Sequence, residues 1–145
     1  MKTVLQRVTH AKVIINHETI ASINNGLVIL LGIEKEDNEQ KANALAKKIT
    51  NLRIFSDKNG KMNLSILDMK GKAIVVSQFT LMANTHKGNR PSFINAAPPD
   101  FANPLVDYFA QALNKNGVPT QKGKFGAHML VELTNDGPVT IFLES

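Results

Sequence analysis

Two short segments hold the residues best placed for chemistry. In Ser77-Gln78-Phe79-Thr80-Leu81, two hydroxyls and a carboxamide follow directly on Ala73-Ile74-Val75-Val76, an apolar, largely β-branched run. Such a run reads as a buried strand, and its polar end marks where that strand meets solvent. A period of two over 73–81 puts Gln78 and Thr80 on the face of Ile74 and Val76, with Ser77 and Phe79 on the other. Phe79 is then expected to anchor the segment while its backbone N–H stays free. Read by itself, the segment is more simply a strand end whose Thr and Ser serve β-propensity.

The second segment, Asn135-Asp136-Gly137-Pro138-Val139-Thr140, separates the runs 129–134 and 139–143. Its plainest reading is a hairpin turn between two closing strands. Pro138 complicates that, because it removes a ladder donor and so belongs to a sheet edge or a strand start. Gly137 lets backbone come close to something bulky, and the carbonyls here remain open to an outside partner. The spacing does not settle the isomer of the Gly137-Pro138 bond.

Taken together and in this order, the two segments resemble the paired signature of the D-aminoacyl-tRNA deacylases. The likeness extends to Leu5-Gln6-Arg7-Val8-Thr9, to Arg53-Ile54-Phe55-Ser56-Asp57 with Gly60-Lys61-Met62-Asn63-Leu64, and to Arg90-Pro91-Ser92-Phe93, so that it covers essentially the whole chain. The resemblance implies hydrolysis of the ester joining a D-amino acid to the terminal adenosine of tRNA, a chiral proofreading step. It also implies a homodimer in which Gly137-Pro138, in the cis form, enters the neighbouring subunit's site and excludes the L hand. Arg7 would hold that dipeptide in place with Asn135 in support, while Ala127 and Met129 would line the substrate pocket beside Ser77. His128 stands where the family usually shows an acid, a departure that bears on a charge role at that position and not on one for its backbone.

An ester hydrolase needs an oxyanion site, an attacking water and a device to choose its acyl group. The N–H groups of Phe79 and Thr80 are the candidates for the oxyanion site, and Gln78 for positioning substrate. Thr80 as a nucleophile would need an activating base, and no His or Lys nearby in sequence is marked for that role. The expectation is therefore orientation and backbone electrostatics, assisted by the substrate's own ribose hydroxyl. If the device admits the smallest acyl group, glycyl-tRNA is a substrate too.

These residues need a scaffold, and the chain supplies one domain of 145 residues. Strands are expected over 2–15, 19–23, 27–33 and 73–81, then near 118–121, 129–134 and 139–143. The run 27–33 is apolar enough to be buried on both faces. Asp37 with Gln40 reads as a capping box opening a helix over 38–52, and a second helix spans roughly 100–116 before Gly117. Residues 82–99 form a long loop, and loops of that length are often functional. The fold expected is α/β, a β-rich layered single domain with two helices packed on a sheet or partial barrel.

Lys and Arg outnumber Asp and Glu by 17 to 12, for a formal charge of +5. That balance suits a polyanionic partner, here aminoacylated tRNA, without requiring one. The four His residues, at 10, 17, 86 and 128, show no ligand spacing, and there is no Cys to join them, so no metal site is expected. Gly117 to Gly123-Lys124 departs from a phosphate loop in spacing, with Phe125 where Ser or Thr is required. No cofactor, DNA partner or membrane association is expected, and a cytoplasmic location fits the absence of Cys and of a long apolar segment. The alternatives are a non-catalytic basic RNA-binding module and an esterase acting on small free esters.

Overall fold

The apolar run at 27–33 becomes the middle of a six-stranded sheet in the computed structural model, which describes all residues from Met1 to Ser145. In chain order the sheet takes β1 (Lys2–Ile15), β2 (Glu18–Ile23) and β3 (Gly26–Gly32) before the first helix, α1 (Glu39–Thr50). A small two-stranded ribbon of β4 (Phe55–Ser56) and β5 (Met62–Leu64) follows, then β6 (Lys72–Ser77). After a single 3-10 turn (Phe79–Met82) come α2 (Pro99–Lys115), β7 (Thr120–Lys122) and β8 (Leu130–Glu144). Strand order is β2-β1-β3-β6-β7, with β8 paired to β1. The parallel pairs β3–β6 and β6–β7 are the two connected through helices, as parallel strands require a long crossover.

Alternation along β3 and β6 divides the interior in two. Leu27, Ile29, Leu31, Ala73 and Val75 face a core shared with both helices, in which Phe109, Leu113 and Ile49 are almost fully buried. Val28, Ile74 and Val76 face a smaller core with Val8, Val13 and Ile23. Met129, Val131 and Leu133 pack against this second core, so the first half of β8 curls over the sheet and brings it close to a barrel. The expected α/β, β-rich architecture with two helices is what forms.

Local signals explain the helices, with one correction. Asn38, not Asp37, caps α1, its Oδ1 accepting from the Lys41 N–H at 3.0 Å. Asp37 is instead buried, with Oδ2 accepting from the Glu34 N–H at 2.7 Å and Oδ1 from the Met1 amine at 2.7 Å. The two acceptor side chains stand side by side, and the one with a buried cationic partner is drawn inward. At the end of α2, Gly117 adopts φ +92°, and its N–H and that of Val118 return to the carbonyls of Asn114 and Leu113. That pair of bonds closes the helix, and a residue with a Cβ would be strained in the same place.

Two further expectations are corrected. The strand expected over 73–81 stops at Ser77, because its partner β3 runs out: Leu31 pairs with Ser77 and accepts from the Gln78 N–H at 2.8 Å. Beyond that point the chain tightens into the 3-10 turn. The closing hairpin does not exist either, since Leu130 to Asn135 and Thr140 to Glu144 both run antiparallel to the same strand, β1. β1 is long enough to pair with both runs, so the chain bulges outward between them instead of reversing. Gln6 faces Thr140 and Val8 faces Asn135, leaving Asp136 to Val139 as an excursion opposite Arg7.

Candidate active site

The end of β6 opens into a cavity of roughly 560 Å³. One wall is Val76, Ser77, Gln78 and Phe79; the others come from the loop before α2, through Ala96 and Ala97, and from Phe125 to Val131. The loop is tied in place by the Ala97 N–H on the Ile33 carbonyl at 3.0 Å and by a bridge between Asn84 and Ser92. The lining is mostly apolar, with the polar groups of Ser77, Gln78 and His128 among it. This is the arrangement of a small-molecule site, an apolar chamber with a few placed polar groups.

The structure thus gathers Ser77, Gln78, Phe79, Ala127 and Met129 around one chamber. Thr80, the next residue, is exposed and not part of the lining. The first bond of the 3-10 turn runs from the Leu81 N–H to the Gln78 carbonyl, so the N–H groups of Phe79 and Thr80 precede it and have no partner within the turn. Gln78 Nε2 donates to Thr80 Oγ1, the only side-chain hydrogen bond that Thr80 makes. No base contacts the hydroxyl. The Phe79 ring does not anchor the segment as expected, for it is 57% exposed and packs edge to face on Phe93, with ring centroids 5.0 Å apart. With the strand ended, alternation no longer directs it inward.

Arg7, Asn135, Gly137 and Pro138 stand apart from the chamber, in the β8 excursion and beneath it. Arg7 is 6% exposed. Its Nε donates to the Asp136 carbonyl at 2.9 Å, its Nη1 to the Ile54 carbonyl at 2.7 Å, and Nε also lies 3.1 Å from the Asp136 carboxylate. Asn135 closes the base of the excursion: its Oδ1 accepts from the Val139 N–H at 2.6 Å, and its Nδ2 donates to Val139 O and Thr140 Oγ1. The Gly137-Pro138 bond is cis, and both residues are exposed. A dipeptide clamped from below and bare above can present backbone to another molecule.

Reading by sequence missed several contributors, among them Ala96 and Ala97 in the chamber wall, Ile54 and Phe125. Ile54 fixes the outer end of Arg7 through a carbonyl, which carries no residue-type signal. Phe125 follows Gly123-Lys124, precedes Gly126 and lines the chamber, a pattern that reads only as a loop. No group of three or more His, Asp or Glu side chains gathers in a way that suits a metal ion. No helix is long and apolar enough to cross a membrane.

The model of the D-Tyr-tRNA(Tyr) deacylase family matches residues 4–144. The chain is 51% identical over 145 residues to the D-aminoacyl-tRNA deacylase of Thermosipho africanus, covering all of this chain and 97% of that protein. It is 53% identical over 144 residues to the D-aminoacyl-tRNA deacylase of Proteus mirabilis, covering 99% of each. Among solved structures, one described as c-Myc DNA unwinding element binding protein superposes with a TM-score of 0.95 at 44% identity over 100% of this chain and 99% of the other. A probable eukaryotic D-amino acid tRNA deacylase shares the fold, with a TM-score of 0.83 at 14% identity over 98% of this chain and 97% of that one.

Proposed function

Because the chain belongs to the D-Tyr-tRNA(Tyr) deacylase family, we propose that it hydrolyses the ester of D-aminoacyl-tRNA at the end of β6, releasing free D-amino acid and tRNA. The observation that carries this reading is the chamber itself, an apolar space bounded by the strand end, where two N–H groups without a partner in the 3-10 turn stand at its start. Water attacks the ester carbonyl, and the N–H groups of Phe79 and Thr80 receive the oxyanion. Gln78 orients Thr80 and the acyl end, and the ribose oxygen leaves with a proton. Backbone donors that are fixed before the reaction stabilise developing charge without reorganising, the largest single contribution in many acyl transfers. The Thr80 hydroxyl, bonded only to Gln78, is not a nucleophile in this scheme. The chemistry needs no metal, and the substrate's ribose hydroxyl assists the water.

Chirality is assigned to Gly137 and Pro138 acting on a second copy of the chain. Their exposure and their absence from the lining of their own chamber support a crossed arrangement, with the excursion of one subunit completing the partner's site. A wall of backbone presents the same surface whatever the side chain, so it rejects one hand while tolerating many amino acids. Glycine, which has no side chain to reject, is admitted, and glycyl-tRNA is a second substrate.

The purified protein is expected to release D-tyrosine from D-tyrosyl-tRNA and to spare L-tyrosyl-tRNA. Equal inertness toward both, with tRNA still bound in a salt-sensitive way, would replace the enzyme by a basic RNA-binding module. Activity on small free esters without RNA would favour a general esterase. Replacing the exposed Pro138 by alanine should leave the fold intact and reduce the D/L preference by about tenfold, a loss of one contact's discrimination. Unchanged preference in that variant removes the role assigned to Pro138.

A further inference from the structure

A second cavity adjoins the first, and acyl binding does not account for it. Its volume is roughly 390 Å³, and it is lined by Val75 and Ser77 of β6, Asn103 and Asp107 of α2, and Lys122 and Lys124 at and beyond the end of β7. Ser77 and Phe125 line both cavities, so the two meet at the end of β6. Gly123, between the lysines, donates its N–H to the Val75 carbonyl at 2.9 Å and holds them against the sheet.

The charges here do not cancel. Lys122 donates to the Asp107 carboxylate and is neutralised by it. Lys124 pairs with no carboxylate of the chain, which leaves one cation with the free Ser77 hydroxyl and Asn103 amide beside it. The other large groove, between the start of α1 and α2, carries Glu39 and Asp100 with no lysine or arginine in its walls and repels a polyanion. RNA approaching the chamber is thereby favoured on the Lys124 side.

We propose that the second cavity is a phosphodiester subsite in which Lys124, with Asn103 and Ser77, holds the phosphate linking the terminal nucleoside of tRNA to the nucleotide before it. The inference rests on the deacylase reading of the neighbouring chamber. A nucleoside's 5′ phosphate is separated from its ribose by a single methylene, so a ribosyl ester in the first cavity puts its phosphate in an adjoining one. One unpaired ammonium matches the single charge of a phosphodiester, and a charge-assisted hydrogen bond is the usual means of holding it. The subsite would distinguish an RNA-linked ester from a free one.

Three substrates test this: D-tyrosyl-adenosine, which lacks the phosphodiester, the dinucleotide D-tyrosyl-CpA, which has one, and D-tyrosyl-tRNA. Wild type should prefer the dinucleotide to the nucleoside in kcat/KM. In Lys124→Ala the ratio of these two values should fall about tenfold, through KM and not kcat, and Lys124→Arg should restore most of it. Removing the same charge from the turn between β4 and β5, by Lys58→Ala, should leave the ratio where it was. A wild-type ratio near one, or one that Lys124→Ala does not change, overturns the phosphate subsite while leaving deacylation standing. Inertness of wild type toward all three substrates overturns the deacylase reading and the subsite with it.

Discussion

Arg7→Ala is expected to lose about 2–4 kcal/mol of folding stability, because it strips the donor from one buried and one part-buried carbonyl, and a buried acceptor left unpaired costs about 1–3 kcal/mol. Those acceptors are Ile54 O and Asp136 O, at 2.7 and 2.9 Å from the guanidinium, which itself is nearly excluded from water. The loss is a large share of a small domain's total of about 5–15 kcal/mol. Deacylation should fall with it, even under conditions where the variant remains folded. Without Arg7 nothing spans the gap between Ile54 and the excursion, so Gly137 and Pro138 lose their support. Arg7→Lys should recover only part of either property, since one ammonium cannot reproduce a planar fork that reaches two carbonyls in different directions. Urea unfolding with turnover measured on the same preparations decides it. A destabilisation under about 1 kcal/mol with full activity would show that water replaces the guanidinium and that the clamp is not needed.

Much of this scaffold is legible in residue order, and the places where it is not share a cause. β1, β3 and the two helices follow from apolar periodicity, and the double-faced burial of β3 follows from its unbroken run. The strand through 73–81 looks continuous because Phe79, Thr80 and Leu81 are good strand residues. It ends at Ser77 only because Gly32 ends the neighbouring strand, a property of the partner and not of the segment. Likewise Asn135 to Pro138 carries every mark of a turn. Whether such a stretch reverses the chain or merely bulges depends on how far β1 extends beside it, and β1 pairs from Lys2 to Ile14. The candidate site residues are named by their motifs, but the motif cannot say which share a chamber. Ser77, Gln78, Phe79, Ala127 and Met129 do, whereas Arg7, Asn135, Gly137 and Pro138 form a separate clamp. The proposed crossed arrangement of two copies rests on that separation within one chain.

Gly137→Ala should be as damaging as the loss of Arg7, at about 2–4 kcal/mol, from strain at a backbone conformation that side chains rarely adopt together with a local clash. Gly137 has φ +134°, and a Cβ there would stand 2.7 Å from Val139 Cγ2, 3.0 Å from Val139 N and 3.2 Å from Arg7 Nη2. None of these neighbours is free to yield. Val139 is 6% exposed, and its N–H is held by Asn135 Oδ1, while Arg7 is fastened to Ile54. The excursion must therefore move as a whole, carrying Pro138 with it. A displacement near 1 Å in a group that positions substrate is enough to change rates by about a hundredfold. The preference for D- over L-tyrosyl-tRNA should accordingly collapse further than in Pro138→Ala, which leaves the clamp intact. Thermal unfolding and paired D and L deacylation rates on both variants give the comparison. If Gly137→Ala melts with the wild type and keeps its selectivity, the excursion is pliant, and rejection of the L hand must be assigned to side chains within the chamber.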